Sequence, residues 1–310
     1  MSRIGYSAAM QISITNVHLD LGAGRRGTDM GPSAMHVAGL VPGLRGLGHD
    51  VVDVTGIGGP TFEATHSGDA KARFLPEIVR VCTRIADRVE AGVLEGHFPL
   101  VLGGDHAQAI GTIGGLARAW RRQGKEVGVV WVDAHTDMNT PETTSSGNIH
   151  GMPLAALLGH GPPELVAICG DRPALKPEHV AIVGVRDVDV SETSLVARTG
   201  VRVFTMSELD ERGTAACVRE AFEVAGRASA GVHLSFDLDG VDPKDAPGVG
   251  TPVPGGLTVR ESHLICETAA RCNRLVGMEM VELNPTLDLR NETGELAVWL
   301  IQSALGKTIL

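Results

Sequence analysis

Aromatic residues are scarce in this chain: six Phe, three Trp and one Tyr, 3% of 310 residues. With 43% hydrophobic content, a sizeable core must be packed from Val, Ile, Leu and Ala, which suits close-packed strands and helices. Positive charge is also short. Lys and Arg number 27 against 37 Asp and Glu, a formal net charge of −10. That balance speaks against a nucleic-acid partner and suits attraction of a cationic ligand. Cysteine is sparse and unpatterned: Cys82, Cys169, Cys217, Cys266 and Cys272 are odd in number and form no CxxC. They read as free thiols in a reducing compartment. No basic stretch followed by an apolar signal core opens the chain, and no apolar run reaches membrane-spanning length. A soluble cytoplasmic protein without a membrane partner is expected.

Glycine, by contrast, is plentiful at 40 residues, as many tight strand-to-helix turns require. Strand-like and helix-like segments alternate throughout. Strands are expected at Gln11 to Val17, Val51 to Val54, Phe98 to Leu102, Val127 to Val132, Ile182 to Val185, Val201 to Phe204, Val232 to Phe236 and Leu275 to Val281. Helices are expected at Pro32 to Leu47, Ala70 to Leu94, Gln108 to Arg122 and about Glu292 to Leu305. In the second of these, Phe74, Ile78, Val81, Ile85 and Val89 recur at steps of three and four. Repeated β-then-α order predicts a mostly parallel central sheet covered on both faces by helices, a three-layer α/β/α arrangement. No linker or repeat interrupts residues 1–310, so a single catalytic domain is expected.

Two acidic segments follow strand-like runs: Asp133-Ala134-His135-Thr136-Asp137 and Asp237-Leu238-Asp239. If each segment stays extended, alternate side chains share a face. Asp133, His135 and Asp137 then meet at one point, and Asp237 and Asp239 at another. His106 follows a third strand end. Four carboxylates gathered on an apolar scaffold repel unless cations lie between them. Four Asp and two His without a thiolate suit two divalent ions of the Mn²⁺ kind rather than a structural zinc. Asp105 reads as a residue supporting the ligands from behind or as a turn residue, and His233 and the other histidines as ordinary core or surface residues. Two such ions can share a water and lower its pKa toward neutrality, which implies hydrolysis of a poor electrophile.

One competing motif is present. Gly22-Ala23-Gly24-Arg25-Arg26-Gly27 matches the GxGxxG of dinucleotide-binding proteins. The match is poor, because the third glycine should lie inside a helix and here the helix is expected to begin only at Pro32.

With these residues in place, the chain resembles the ureohydrolases, and arginases most closely. The resemblance rests on Val101-Leu-Gly-Gly-Asp-His106, Trp131-Val-Asp-Ala-His-Thr-Asp-Met-Asn-Thr-Pro141, Ser146-Gly-Asn-Ile-His-Gly151, Gly184-Val-Arg-Asp-Val-Asp189, Ser235-Phe-Asp-Leu-Asp-Gly240, Gly250-Thr-Pro-Val-Pro-Gly-Gly-Leu257 and Val281-Glu-Leu-Asn-Pro285. It implies two Mn²⁺ ions held by His106, Asp133, His135, Asp137, Asp237 and Asp239. It also implies hydrolysis of L-arginine to L-ornithine and urea by a metal-bridging hydroxide attacking the guanidinium carbon, in a homo-oligomer that is a trimer or hexamer. The alternatives are an agmatinase or guanidinobutyrase and a non-catalytic relative. The presence of all six ligand positions speaks against the last. Ala107 stands where many relatives have Ser, which removes a hydroxyl beside a ligand.

The chemistry assigns further roles. Asp137 is expected to deliver a proton to the leaving amine, and His150 to exchange protons with solvent. Glu282, at the end of an apolar strand, is expected to anchor the guanidinium through paired hydrogen bonds. Neighbouring Glu279 reads as an outer supporting group. Substrate contacts are expected from the stretch His135, Thr136, Asp137, Met138 and Asn139, and from Thr144, Ser146, Gly147 and Asn148 in the polar loop. Asp189 would accept from the α-ammonium, with Glu192 helping through water and Thr251 lining the site. Thr143 and Ser145 read as turn residues.

Overall fold

The computed structural model describes residues 9–309. Its eight strands are β1 (Gln11–His18), β2 (Asp50–Gly58), β3 (Phe98–Leu102), β4 (Val127–Val132), β5 (Val180–Val185), β6 (Arg202–Thr205), β7 (Gly231–Asp237) and β8 (Leu275–Val281). They form one sheet in the order β2-β1-β3-β8-β7-β4-β5-β6, with every pairing parallel. Parallel neighbours need long crossovers, and helices between the strands supply them. Strands β3, β4, β5 and β7 are buried at every position, because both faces are covered. Edge strand β2 alternates buried and exposed residues instead.

The period of two sorts each strand between two apolar layers. Val130 and Val132 of β4, with Leu234 and Phe236 of β7 and Met278 and Met280 of β8, face one layer. Val129 and Trp131 face the other, among residues of the helices that follow β3 and β4. The result is the expected three-layer α/β/α sandwich. Among the described residues, no helix is long and apolar enough to cross a membrane.

Helix boundaries differ from the sequence expectation at two places. The segment Pro32 to Leu47 is two helices, α1 (Gly31–Val37) and α2 (Leu40–Gly46). Gly39 between them has φ 87°, a left-handed conformation that interrupts the helix. The helix expected from Ala70 begins later, as α3 (Leu75–Leu94). Phe74 takes φ 56° just before it, and the preceding residues run along the loop at Gly147, whose carbonyl accepts from the Arg73 amide at 2.9 Å. Beyond β3, a 3-10 turn at His106–Gln108 leads into α4 (Ala109–Arg121).

The sheet order determines where chemistry can occur. The chain leaves β3 through α4 and returns as β4, on the far side of β8 and β7. The carboxyl ends of β3, β8, β7 and β4 are therefore neighbours, and the loops beyond them converge where an open parallel sheet has room for a ligand.

Candidate metal centre

His106 enters the site from the turn after β3. Its Nδ1 lies 3.2 Å from Asp133 Oδ2, 3.1 Å from Asp137 Oδ2 and 3.0 Å from Asp237 Oδ2. The three carboxylates come from the ends of β4 and β7. None of these contacts has hydrogen-bond geometry, so the buried Nδ1 is left without a partner. His135 Nδ1 lies 3.3 Å from Asp133 Oδ1 and 3.2 Å from Asp239 Oδ2. Two donor groups result: His106, Asp133 and Asp137, and Asp133, His135 and Asp239. Asp133 belongs to both.

This grouping corrects the expectation that Asp133, His135 and Asp137 share one point and Asp237 and Asp239 another. The segment after Val132 does not stay extended. Asp137 adopts φ 52°, and its carbonyl accepts from the amides of Leu154 and Ala155. That turn swings the Asp137 carboxylate toward His106. Glu282 likewise has φ 64°. Left-handed backbone at non-glycine residues is uncommon and costs about 1–3 kcal/mol, so it persists only where the surroundings enforce it.

The carboxylates are held by donors behind them. Asp133 accepts from Trp131 Nε1 at 2.9 Å and from the His135 amide at 2.7 Å. Asp237 accepts from the Asp239 amide, and Asp239 from the Ala134 amide and Thr251 Oγ1. His106 stacks on Trp131 with ring centroids 4.1 Å apart, and its Nε2 is 2.9 Å from Ser235 Oγ. Burial and crowding shift the proton affinities of several of these groups. Burial and the neighbouring Asp133 push Asp137 up to about 7. Burial and Asp239 raise Asp237 well above the carboxylate range. Burial opposes charge on both imidazoles, yet the surrounding carboxylates raise His106 and His135. Despite burial, Asp133 alone is shifted down, by the two imidazoles beside it, so Asp137, Asp237 and both histidines draw protons in a cluster that lacks other positive charge. Divalent cations meet that demand with bonds of about 2.0–2.2 Å to imidazole and carboxylate, which put neighbouring donor atoms about 3 Å apart, as they are here.

Two adjoining cavities open onto the cluster. The first, of about 210 Å³, is bordered by His106, His135, Asp137, Asp237 and Asp239 at its floor. Asn139, Thr144, Ser146, Asn148, His150, Asp189, Glu192 and Thr251 from the expected set also line it. The second, of about 480 Å³, shares His135, Asn148, His150 and Thr251 with the first and adds Glu282 and Arg25. His150 Nδ1 is 3.0 Å from Glu282 Oε1. Burial lowers the His150 affinity for a proton, but Glu282 overrides it and lifts the imidazole to about 9. Glu282 Oε1 also accepts from the His106 amide at 2.9 Å, while Oε2 is buried without a partner.

Three expected contact residues lie off the cavity walls. Met138 packs in the apolar layer with Trp131 and Leu154, Thr136 is buried, and the Gly147 amide donates to Thr144 Oγ1. Glu192 spends both carboxylate oxygens on the amides of Met138 and Asp189, tying two loops together. Asn139 Nδ2 donates to Asp189 Oδ2 at 3.0 Å. Asp105 caps the turn at His106 by accepting from the Ala107 amide. Its other oxygen takes the Gly22 amide at 2.8 Å. The glycine-rich segment thus braces this loop and opens no α-helix: a 3-10 turn at Thr28–Met30 follows it, and the next α-helix starts at Gly31. A Cβ on Gly22 would strike Asp105, which accounts for the glycine there.

Sequence reasoning missed Asp187, which lines both cavities with its carboxylate 3.9 Å from His135 Nε2. Its place two residues before Asp189 was the available signal. It also missed Arg186, whose guanidinium donates to the carbonyls of Gly184, Asp239, Gly240, Val241 and Val253. That fan ties the end of β5 to the loop after β7.

Comparison with known proteins adds an independent line. A model of the arginase family matches residues 10–306. The chain is 48% identical over 300 residues to an arginase of Bacillus caldovelox, covering 96% of this chain and 99% of the relative. It is 45% identical over 299 residues to an arginase of Bacillus subtilis, covering 96% and 99%. The solved arginase structure from Bacillus caldovelox superposes with a TM-score of 0.92 at 47% identity, covering 97% of this chain and 100% of that one.

Proposed function

We propose that this chain, which belongs to the arginase family, hydrolyses L-arginine to L-ornithine and urea at a pair of Mn²⁺ ions held by His106, Asp133, His135, Asp137, Asp237 and Asp239. The observation that carries this reading is the unpartnered, buried Nδ1 of His106 facing three carboxylates. Asp133, common to both donor groups, would be the ligand shared between the ions. Bound there, the ions supply an activated water at neutral pH and positive charge for the transition state.

The chain's own residues do the remainder. The guanidinium is planar and cationic, with a pKa above ~12, and its carbon is a poor electrophile. The free, buried Oε2 of Glu282 gives it an ionic acceptor deep in the site. Departure of ornithine requires a proton on the leaving nitrogen, since an anionic amine is a very poor leaving group. Asp137, beside the cluster and on the wall of the first cavity, is placed to carry that proton. His150, held protonated by Glu282 and lining both cavities, restores it from solvent. At the amino-acid end, Asn139, Thr144, Ser146 and Asn148 offer neutral donors to the α-carboxylate, and Asp189 accepts from the α-ammonium. Substrates lacking those groups leave buried polar partners unpaired, which is how such a site discriminates. We also assign the protein to the cytoplasm, in keeping with its five free thiols, and to a trimer or hexamer.

The test is urea release by metal-stripped protein reloaded with Mn²⁺, given L-arginine, agmatine and 4-guanidinobutyrate at equal concentrations. Metal-dependent release with strong preference for L-arginine supports both the metal centre and the polar-loop contacts. Equal turnover of all three would remove Asn139, Ser146, Asn148 and Asp189 from the substrate site.

A further inference from the structure

A polar row crosses the centre of the sheet beneath the metal centre. Trp131 of β4 is the register partner of Ser235 in β7, and Ser235 is the partner of Glu279 in β8. On the same face of β7, His233 pairs with Gly277. Ser235, Glu279, His233 and Gln108 are all fully buried. A buried carboxylate is costly unless it is compensated, so a carboxylate at Glu279 requires an explanation.

Its surroundings provide one. Glu279 Oε1 accepts from Ser235 Oγ at 2.9 Å and is 3.5 Å from His233 Nε2. Oε2 is 3.4 Å from Gln108 Nε2. Gly277 leaves room for the histidine, because a Cβ there would lie 2.9 Å from His233 Nδ1. Burial disfavours charge on Glu279, yet His233 beside it favours the ionised form, and the carboxylate lies below its usual range.

The consequence is a fixed proton. An ionised carboxylate only accepts, so the single hydroxyl proton of Ser235 goes to Glu279. Ser235 Oγ can then only accept from His106 Nε2, 2.9 Å away. That places the imidazole proton on Nε2 and the lone pair on Nδ1, toward Asp133, Asp137 and Asp237.

We propose that Glu279, acting through Ser235, is the positioning residue that keeps His106 in its metal-binding tautomer. The proposal rests on the reading of the metal centre given above. Replacing Glu279 by an amide removes the obligatory acceptor. The new NH₂ can donate to Ser235, whose hydroxyl can then donate to His106 Nε2. The imidazole proton then moves to Nδ1, where it blocks the cation.

The experiment measures Mn²⁺ affinity by chelator competition for the full chain and for Glu279→Gln, Ser235→Ala and Ser235→Thr. Imidazole ¹⁵N spectra of the metal-free proteins, recorded on the alkaline side of the His106 titration where the ring is neutral, report its tautomer. Loss of an outer-shell partner typically weakens metal binding about 10–100-fold. That loss is expected for Glu279→Gln and Ser235→Ala, whereas Ser235→Thr keeps the hydroxyl and near-original affinity. The unmodified chain should show His106 protonated on Nε2, and Glu279→Gln a population protonated on Nδ1. If Glu279→Gln does not fold, the contrast between the two Ser235 variants carries the test. Unchanged affinity and an unchanged tautomer in the variants overturn the relay alone. Failure of the unmodified chain to bind Mn²⁺ overturns the metal centre as well.

Discussion

At the scale of single residues, Asp137 carries the heaviest load. It faces His106 and lines the first cavity, and in the metal-free cluster burial and Asp133 both oppose its charge. Asp137→Asn is the informative substitution. Asn tolerates φ 52° at least as well as Asp, so the turn after β4 should survive. An amide can neither deliver the proton nor contribute charge, and removal of a general acid typically costs about 10²–10⁴ in rate. Turnover is expected to fall at least a hundredfold with the circular dichroism spectrum unchanged. Retained Mn²⁺ should be measured alongside, so that loss of metal is separated from loss of the proton. Activity above a tenth of the original, with metal bound, would remove Asp137 from proton delivery. The six candidate ligands were legible because acids and imidazoles at the ends of apolar runs are unusual in number. Glu279 and His233 left a quieter mark: a charged and a titratable residue inside Val232–Phe236 and Leu275–Val281, runs otherwise packed on both faces. What could not be read from those letters was which partner each would find, since Ser235 meets Glu279 only through strand register.

At the scale of elements, the polar loop after β4 depends on a segment the helical periodicity concealed. Phe74 continues the step of three and four in α3, and it is indeed buried, but at φ 56° it lies outside the helix. Periodicity reports burial, and a residue just before a helix can be buried on the same side without sharing its backbone conformation. The residues before it brace the polar loop: Lys71 Nζ donates to the Thr144 carbonyl at 2.8 Å, and Arg73 to Asn148 Oδ1 at 3.2 Å. Gly147 sits at the crossing with φ 75°, and a Cβ there would collide with the Ala70 carbonyl. Gly147→Ala therefore combines a left-handed penalty of about 1–2 kcal/mol with local overpacking of about 1–3 kcal/mol. The loop is expected to move outward with Ser146 and Asn148. Steady-state kinetics should show KM for L-arginine raised several-fold, with a smaller effect on kcat, and thermal denaturation a lower midpoint. An unchanged KM would show that the brace does not set the loop's position. The division of Pro32 to Leu47 at Gly39 belongs to the same class of miss, because a single glycine inside a helical pattern is usually tolerated.

At the scale of the whole molecule, alternation of strand and helix was enough to predict a parallel sheet, while the order of its strands was not. That order brings β3, β8, β7 and β4 together and so assembles a site from residues as far apart in sequence as His106 and Glu282. It also separates the site from the source of stability. The apolar layers lie against the two faces of the sheet, whereas the carboxylates crowd at its edge on a chain of net charge −10. Stripping the metal should therefore weaken the protein without unfolding it. An ion that binds only the folded state adds about 2.7 kcal/mol per site at a hundredfold excess over its Kd. Chelation is expected to lower the thermal midpoint by several degrees while the helical signal at room temperature persists. Excess Mn²⁺ should restore the midpoint, and NaCl of equal ionic strength should restore little, because these buried charges are poorly screened. Full recovery with NaCl would mean that diffuse repulsion, rather than ions held between Asp133 and its neighbours, accounts for the loss.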